Sequence, residues 1–227
     1  MGGLISPGTC GLCGKAFGRR SMTQHLKTCG LTGSKRLAAT APAKLTDRSF
    51  HLFIDVRYAP DYWLHLAVPA DESLDSVDYF LRKIWVECCA HLSAFTIEGK
   101  QYAYQPLDEL EQMGMDVPLS RVLQPGMVFK YEYDFGTTTE LRLKVVGFWE
   151  GGTEGDGIEL LARNDAPQVA CHECGKQLAT QICSDCQWQG AGAGWLCDDC
   201  ADLHGCGSEM FLPVVNSPRA GVCGYSG

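Results

Sequence analysis

No stretch of this 227-residue sequence stays apolar for the roughly 18 residues that a membrane span needs, because polar residues interrupt every run. The opening residues lack the charged-then-apolar pattern of a secretory leader, since Cys10 and its polar neighbours arrive almost at once. Both absences point to a soluble, cytoplasmic chain. Charged residues make up only 20% of the sequence and hydrophobic ones 45%, which excludes a disordered polyelectrolyte and describes a folded protein.

Catalytic patterns are missing as well. The glycine-rich stretch at 151–157 has no Gly-Lys-Ser/Thr, so it is not a phosphate loop. Asp134-Phe135-Gly136 matches the metal-binding tripeptide of protein kinases. No glycine-rich nucleotide loop, strand lysine or catalytic loop accompanies it, and it reads as hairpin punctuation. His65 and His91 are lone histidines in apolar surroundings, and packing is their expected role. No paired acids, activated nucleophile or open metal site can be named, so a non-enzyme is expected.

Cysteine, by contrast, is abundant. Thirteen are present, eleven of them in two clusters, and four Cys-x-x-Cys pairs recur. In a reducing compartment that usage favours metal thiolates over disulfides. Cys88 and Cys89 stand apart and read as small hydrophobes in a buried helix.

Near the N-terminus, Cys10-x-x-Cys13, eleven residues and His25-x-x-x-Cys29 resemble a zinc finger whose last ligand is cysteine instead of histidine. His25 and Cys29, four residues apart, share one helical face. Phe17 and Met22 suit the apolar plug beneath the metal. The usual base-reading positions fall on Gly18, Ser21 and Gln24, a poor set for sequence-specific recognition.

Charge is distributed unevenly around this finger. Residues 1–48 carry eight basic side chains against Asp47, a net +7, which leaves −15 for residues 49–227. A polyanion would therefore be drawn to the first segment, with Arg19, Arg20, Lys27, Lys35 and Arg36 as candidate phosphate contacts. Residues 30–48 have the composition of a flexible basic linker.

From Ser49 period-two patterns begin. Strands are expected at Leu52–Val56, Trp63–Val68, Phe95–Ile97, Gln101–Tyr104 and Ile158–Leu161. Phe129, Tyr131, Tyr133 and Phe135 line one face of a strand that turns at Gly136 into Leu141, Leu143 and Val145. Leu74, Val77, Leu81, Ile84, Trp85 and Cys88 repeat with helical spacing behind a Ser73 cap. The fold class is α+β: a strand-rich central domain over 49–165, one main helix on antiparallel sheet, flanked by small zinc-stabilised modules.

Three segments of that domain, YWLHLAVPADESLDSVDYFLRKIW, HLSAFTIEGKQY and LSRVLQPGMVFKYEYDFG, resemble a family of prokaryotic proteins. The family is named for the third open reading frame of a root-inducing plasmid, and its members also travel in insertion sequences. Members typically carry an Ile-Trp-Arg-Arg type strand where this chain has Trp63-Leu64-His65-Leu66, and an aspartate where it has Thr137. The resemblance implies a fold for residues 49–165 and an association with mobile elements. It implies no activity.

Residues 166–227 form the second cysteine cluster: Cys171-x-x-Cys174, Cys183-x-x-Cys186, Cys197-x-x-Cys200, then His204, Cys206 and Cys223. Two tetrahedral ions need eight ligands, and nine are offered. The order resembles cross-braced modules of the B-box and RING kind. That resemblance implies Cys171, Cys174, Cys197 and Cys200 in one site. The other would hold Cys183 and Cys186 with two of His204, Cys206 and Cys223, the first two ranked ahead. Sequential pairing is the rival topology. The segment is poor in large apolar residues, so metal ligation must supply much of its folding free energy. The expectation is a zinc adaptor with three structural ions, a protein partner, and non-specific DNA or RNA contact through the basic arm. The alternative is a purely protein-binding module.

Overall fold

The computed structural model describes residues 6–29, 48–149 and 157–227. Lys35, Arg36 and nearly all of the expected linker lie outside the described residues. Two compact units emerge, Met1–Arg82 with Leu92–Asp165 and Lys83–His91 with Ala166–Gly227. The architecture is α+β.

The first unit is built on strands β1 (Gly8–Cys10), β2 (Ala16–Phe17), helix α1 (Arg19–Cys29), β3 (Ser49–Val56), β4 (Trp63–Pro69) and α2 (Leu74–Leu81). It continues through β5 (Ser93–Ile97), β6 (Lys100–Ala103), β7 (Met113–Gly114), α3 (Leu119–Val122), β8 (Val128–Tyr133), β9 (Thr139–Trp149) and β10 (Glu159–Asn164). The ten strands join in the order β2-β1-β10-β4-β3-β9-β8-β5-β6-β7. Every pairing is antiparallel except β6 with β7.

The β8–β9 hairpin follows its period-two signal. Tyr131 pairs with Leu141 and Phe129 with Leu143, and all four side chains are buried. Phe135 does not join that face. Asp134 takes a left-handed φ of 61° after the strand ends, which turns the chain and leaves Phe135 about half exposed.

Helix α2 starts as its sequence suggests, with the Ser76 N–H donating to the Ser73 hydroxyl at 3.1 Å. Asp78, one turn into the helix, is buried. It accepts from Ser93 Oγ at 2.6 Å, Tyr131 OH at 2.8 Å and Arg82 Nε at 2.6 Å. The network ties α2 to β5 and β8, and burial with the Asp78 charge holds the Tyr131 phenol well above its ordinary pKa of 10.0. Beyond α2 the helix widens into a π-helical turn over Arg82–Val86 and stops. Cys88 and Cys89 lie past its end, followed by Ala90 at φ 58°, which no right-handed helix accommodates. They are therefore not buried helical hydrophobes; Cys88 is half-buried and Cys89 exposed.

The finger belongs to the same unit as the sheet. Cys10 pairs with Ala162 and Gly8 with Asn164, so β1 extends the sheet from β10. Met22 and Leu26 of α1 are fully buried and share a cluster with Trp63, Ala67, Trp149, Leu161 and Ala162. The finger's apolar plug is thus part of a larger core. A segment of this size buries little apolar surface by itself, so a metal or a neighbouring core must complete it.

The second unit holds β11 (Gln181–Cys183), β12 (Trp195–Leu196), α4 (Asp198–Ala201) and β13 (Phe211–Pro213), with strand order β12-β11-β13. Gly194 sits at φ 75° against the Cys183 carbonyl and the backbone of Cys186 and Gln187, so a side chain there would meet main chain on three sides. No helix among the described residues is long and apolar enough to cross a membrane.

Candidate metal centres and a basic cleft

Four groups of cysteine and histidine bring their ligand atoms within 4.8 Å of one another, and each could hold a metal ion. The first joins Cys10, Cys13, His25 and Cys29. Cys10 and Cys13 flank the turn after β1, and α1 delivers the other pair from successive turns. The Cys13 Sγ–His25 Nε2 separation is 3.3 Å and the Cys10–Cys29 sulfurs lie 3.9 Å apart. Phe17 stacks on His25 with ring centroids 4.0 Å apart, fixing the imidazole.

In the second unit, Cys171, Cys174, Cys197 and Cys200 converge, as do Cys183, Cys186, His204 and Cys206. Alternate pairs in the sequence thus share a centre, which is the cross-braced order. Sulfur separations are 3.8 Å for Cys174–Cys197 and 3.7 Å for Cys186–Cys206, with Cys186 Sγ 3.3 Å from His204 Nε2. Tetrahedral zinc with thiolate bonds of about 2.3 Å sets its sulfurs roughly 3.7–3.8 Å apart, so the donors present fit such an ion.

Thiol acidity has the same character. Burial works to raise the Cys171 thiol, but backbone hydrogen bonds at Cys174, Cys197 and Glu173 outweigh it and bring the group to about 6. Cys29 is pushed up to about 12 by burial and then by the neighbouring Cys13 and Cys10. Cys200 is raised to about 12, chiefly by Cys197. One sulfur in such a cluster ionises readily and the next resists; a divalent cation at the centre would reverse the penalty and hold all of them as thiolates.

Cys223 does not complete either of the two motif-bearing centres in this unit. It meets Cys88, Cys89 and His91 in a fourth group. His91, expected to be a packing residue, is therefore a potential ligand. No motif signals this group, because Cys88-Cys89 is not a chelating spacing and the remaining ligand comes from the far end of the chain.

A second feature lies in the first unit, where α1 faces β3 and β9. A cleft of about 530 Å³ is lined by Arg19, Arg20, Thr23 and Lys27 of α1, by Phe53 and Asp55 of β3, and by Arg142 and Lys144 of β9. Five cationic side chains stand there against one carboxylate, in a chain whose net charge is −8. Asp55 is buried and accepts from Arg142 Nε at 2.9 Å, Arg142 Nη2 at 2.6 Å and Arg19 Nη1 at 3.0 Å. Arg20, Lys27 and Lys144 stay exposed. Sequence reading found the α1 half of this cleft; the β9 half arrives only through strand pairing.

No protein-family model matches the sequence, and no curated protein does. Among solved structures, the chain is similar to a protein of unknown function from Methanosarcina mazei Go1, at 15% identity and a TM-score of 0.45, over 51% of this chain and 68% of that one.

Proposed function

We propose that the protein is a non-enzymatic zinc adaptor that touches nucleic-acid backbone through the basic cleft and a protein partner through the cysteine-rich unit. Zinc suits the tetrads because thiolate and imidazole donors in closed sets of four select it over harder cations. The observation that carries the nucleic-acid half is the cleft. Exposed Arg20, Lys27 and Lys144 surround a pair of arginines whose orientation a buried carboxylate fixes. Contacts of this kind neutralise phosphates without reading bases, so binding is weak, sequence-tolerant and steeply salt-dependent. The protein-binding half is favoured by Trp188 and Leu203, which are 66% and 89% exposed in the zinc-rich unit. The three segments resembling the plasmid-borne family support a mobile-element association.

The test is fluorescence anisotropy of the zinc-loaded full chain with a labelled 20-base-pair duplex across a salt series. Micromolar affinity at low salt is expected. Charge reversals Arg20→Glu, Lys27→Glu and Lys144→Glu should each weaken it and lower the log–log salt slope by about 1. Absent binding at low salt, or affinity indifferent to the three reversals, would refute the nucleic-acid half. It would leave the purely protein-binding reading.

A further inference from the structure

We propose that Cys88, Cys89, His91 and Cys223 form a fourth zinc-type site that works as a clasp, pinning the C-terminal tail to the segment 83–91. The ligand atoms have the geometry of a coordination shell. Cys89 Sγ lies 3.5 Å from Cys88 Sγ, 3.4 Å from Cys223 Sγ and 3.2 Å from His91 Nε2, and His91 Nε2 lies 3.3 Å from Cys223 Sγ. A tetrahedral ion with sulfur at about 2.3 Å and nitrogen at about 2.0 Å asks for ligand separations only a few tenths of an ångström wider.

The backbone is shaped to deliver these groups. Ala90 at φ 58° turns His91 back beside Cys89, and Cys223 itself sits at φ 51°. Residues other than glycine take that region uncommonly. Fully buried Arg219 donates Nε–H to Cys88 Sγ at 3.4 Å. Three thiolates and one imidazole around a divalent cation leave a net charge of −1, which a neighbouring guanidinium offsets. The tail is seated as well: Ser217 Oγ donates to the Trp85 carbonyl at 2.5 Å and accepts the Arg219 N–H at 2.9 Å.

The clasp joins residues 132 positions apart, from His91 to Cys223. An unbound tail would have to find this arrangement against the entropy of a long loop. Coordination free energy is what makes the docked tail the stable state. The proposal shares the thiolate chemistry of the three motif-bearing centres and is independent of nucleic-acid binding.

Elemental analysis of the full chain, purified anaerobically with zinc, tests it. Four equivalents are expected for the native chain, three for Cys223→Ser and for Cys89→Ser, and four again for Cys223→His, which keeps a ligand at the position. Hydrogen exchange over 214–227 should rise several-fold in Cys223→Ser while residues 171–206 stay protected. Three equivalents in the native chain, unchanged by Cys223→Ser, would overturn the clasp and leave the other centres standing. So would a Cys89–Cys223 disulfide in the anaerobic protein. A metal-free, ordered native chain would remove both this site and the zinc adaptor reading.

Discussion

His51 Nε2 and His65 Nδ1 stand 2.9 Å apart inside the sheet, between β3 and β4, with Thr23 Oγ1 of α1 3.4 Å from the other nitrogen of His65. Burial, aided by the Lys27 charge, lowers His51 from 6.5 to about 4; burial and then the His51 charge also hold His65 well below its ordinary value. Both are neutral in the folded chain at neutral pH. Unfolded, each takes up a proton near 6.5, so the unfolded state binds more protons below that value. Stability is therefore undiminished above pH 6.5 and falls as pH drops toward 4, by up to about 3 kcal/mol for His51 alone. Urea denaturation at pH 7, 6 and 5 should show the fall. A His51→Gln chain should show a shallower one, the contribution of metal release being common to both.

Asp55 is shared by Arg19 from the finger helix and Arg142 from β9. Asp55→Asn leaves two guanidiniums facing one neutral amide. Arg142 is about half exposed and solvent screens part of the repulsion, so a loss of about 2 kcal/mol is expected. The same change removes the only carboxylate lining the cleft among the described residues. Stability should fall while affinity for duplex DNA rises, two opposite readouts from one substitution.

An autonomous finger would let chelation melt residues 1–29 and spare the sheet. The shared core predicts otherwise, because Cys10 pairs with β10 and belongs to the same buried cluster as Trp63 and Trp149. Cys10→Ser in the zinc-supplied chain should shift tryptophan emission to the red and lower the melting temperature of the whole first unit. A melt indistinguishable from the native one would show that the finger and sheet are energetically separate.

At Gly8 the β1 backbone runs close against its neighbour β10 and the Trp63 ring. A Cβ there would overlap the Arg163 carbonyl oxygen and the ring of Trp63. Trp63 donates Nε1–H to the Ser6 carbonyl at 3.2 Å and is itself fully buried, so it cannot move aside freely. Gly8→Ala should cost about 1–3 kcal/mol in denaturation, a strain that overpacking rather than lost metal explains. Zinc content should be unchanged.

Much of the candidate chemistry could be read from spacing. Cys-x-x-Cys pairs, the His25–Cys29 interval and the period-two hairpin all concern residues a few positions apart. Their geometry is set by one turn of helix or one pleat of strand. The cross-braced pairing of Cys171 and Cys174 with Cys197 and Cys200 was accessible only through resemblance to other modules, since spacing alone left sequential pairing open. Phe135 was misread because period two carries no information about where a strand stops; the left-handed Asp134 decides that.

The sequence by itself determined which short segments become strands, which become the main helix, and which cysteines sit in chelating pairs. Tertiary structure alone decided that the finger joins the sheet, that Arg142 and Lys144 complete the cleft begun by α1, and that Cys223 meets Cys88, Cys89 and His91. Each of these depends on contacts between distant positions. Local periodicity is silent about such contacts, because they are chosen by which faces remain to be buried after the local elements have formed.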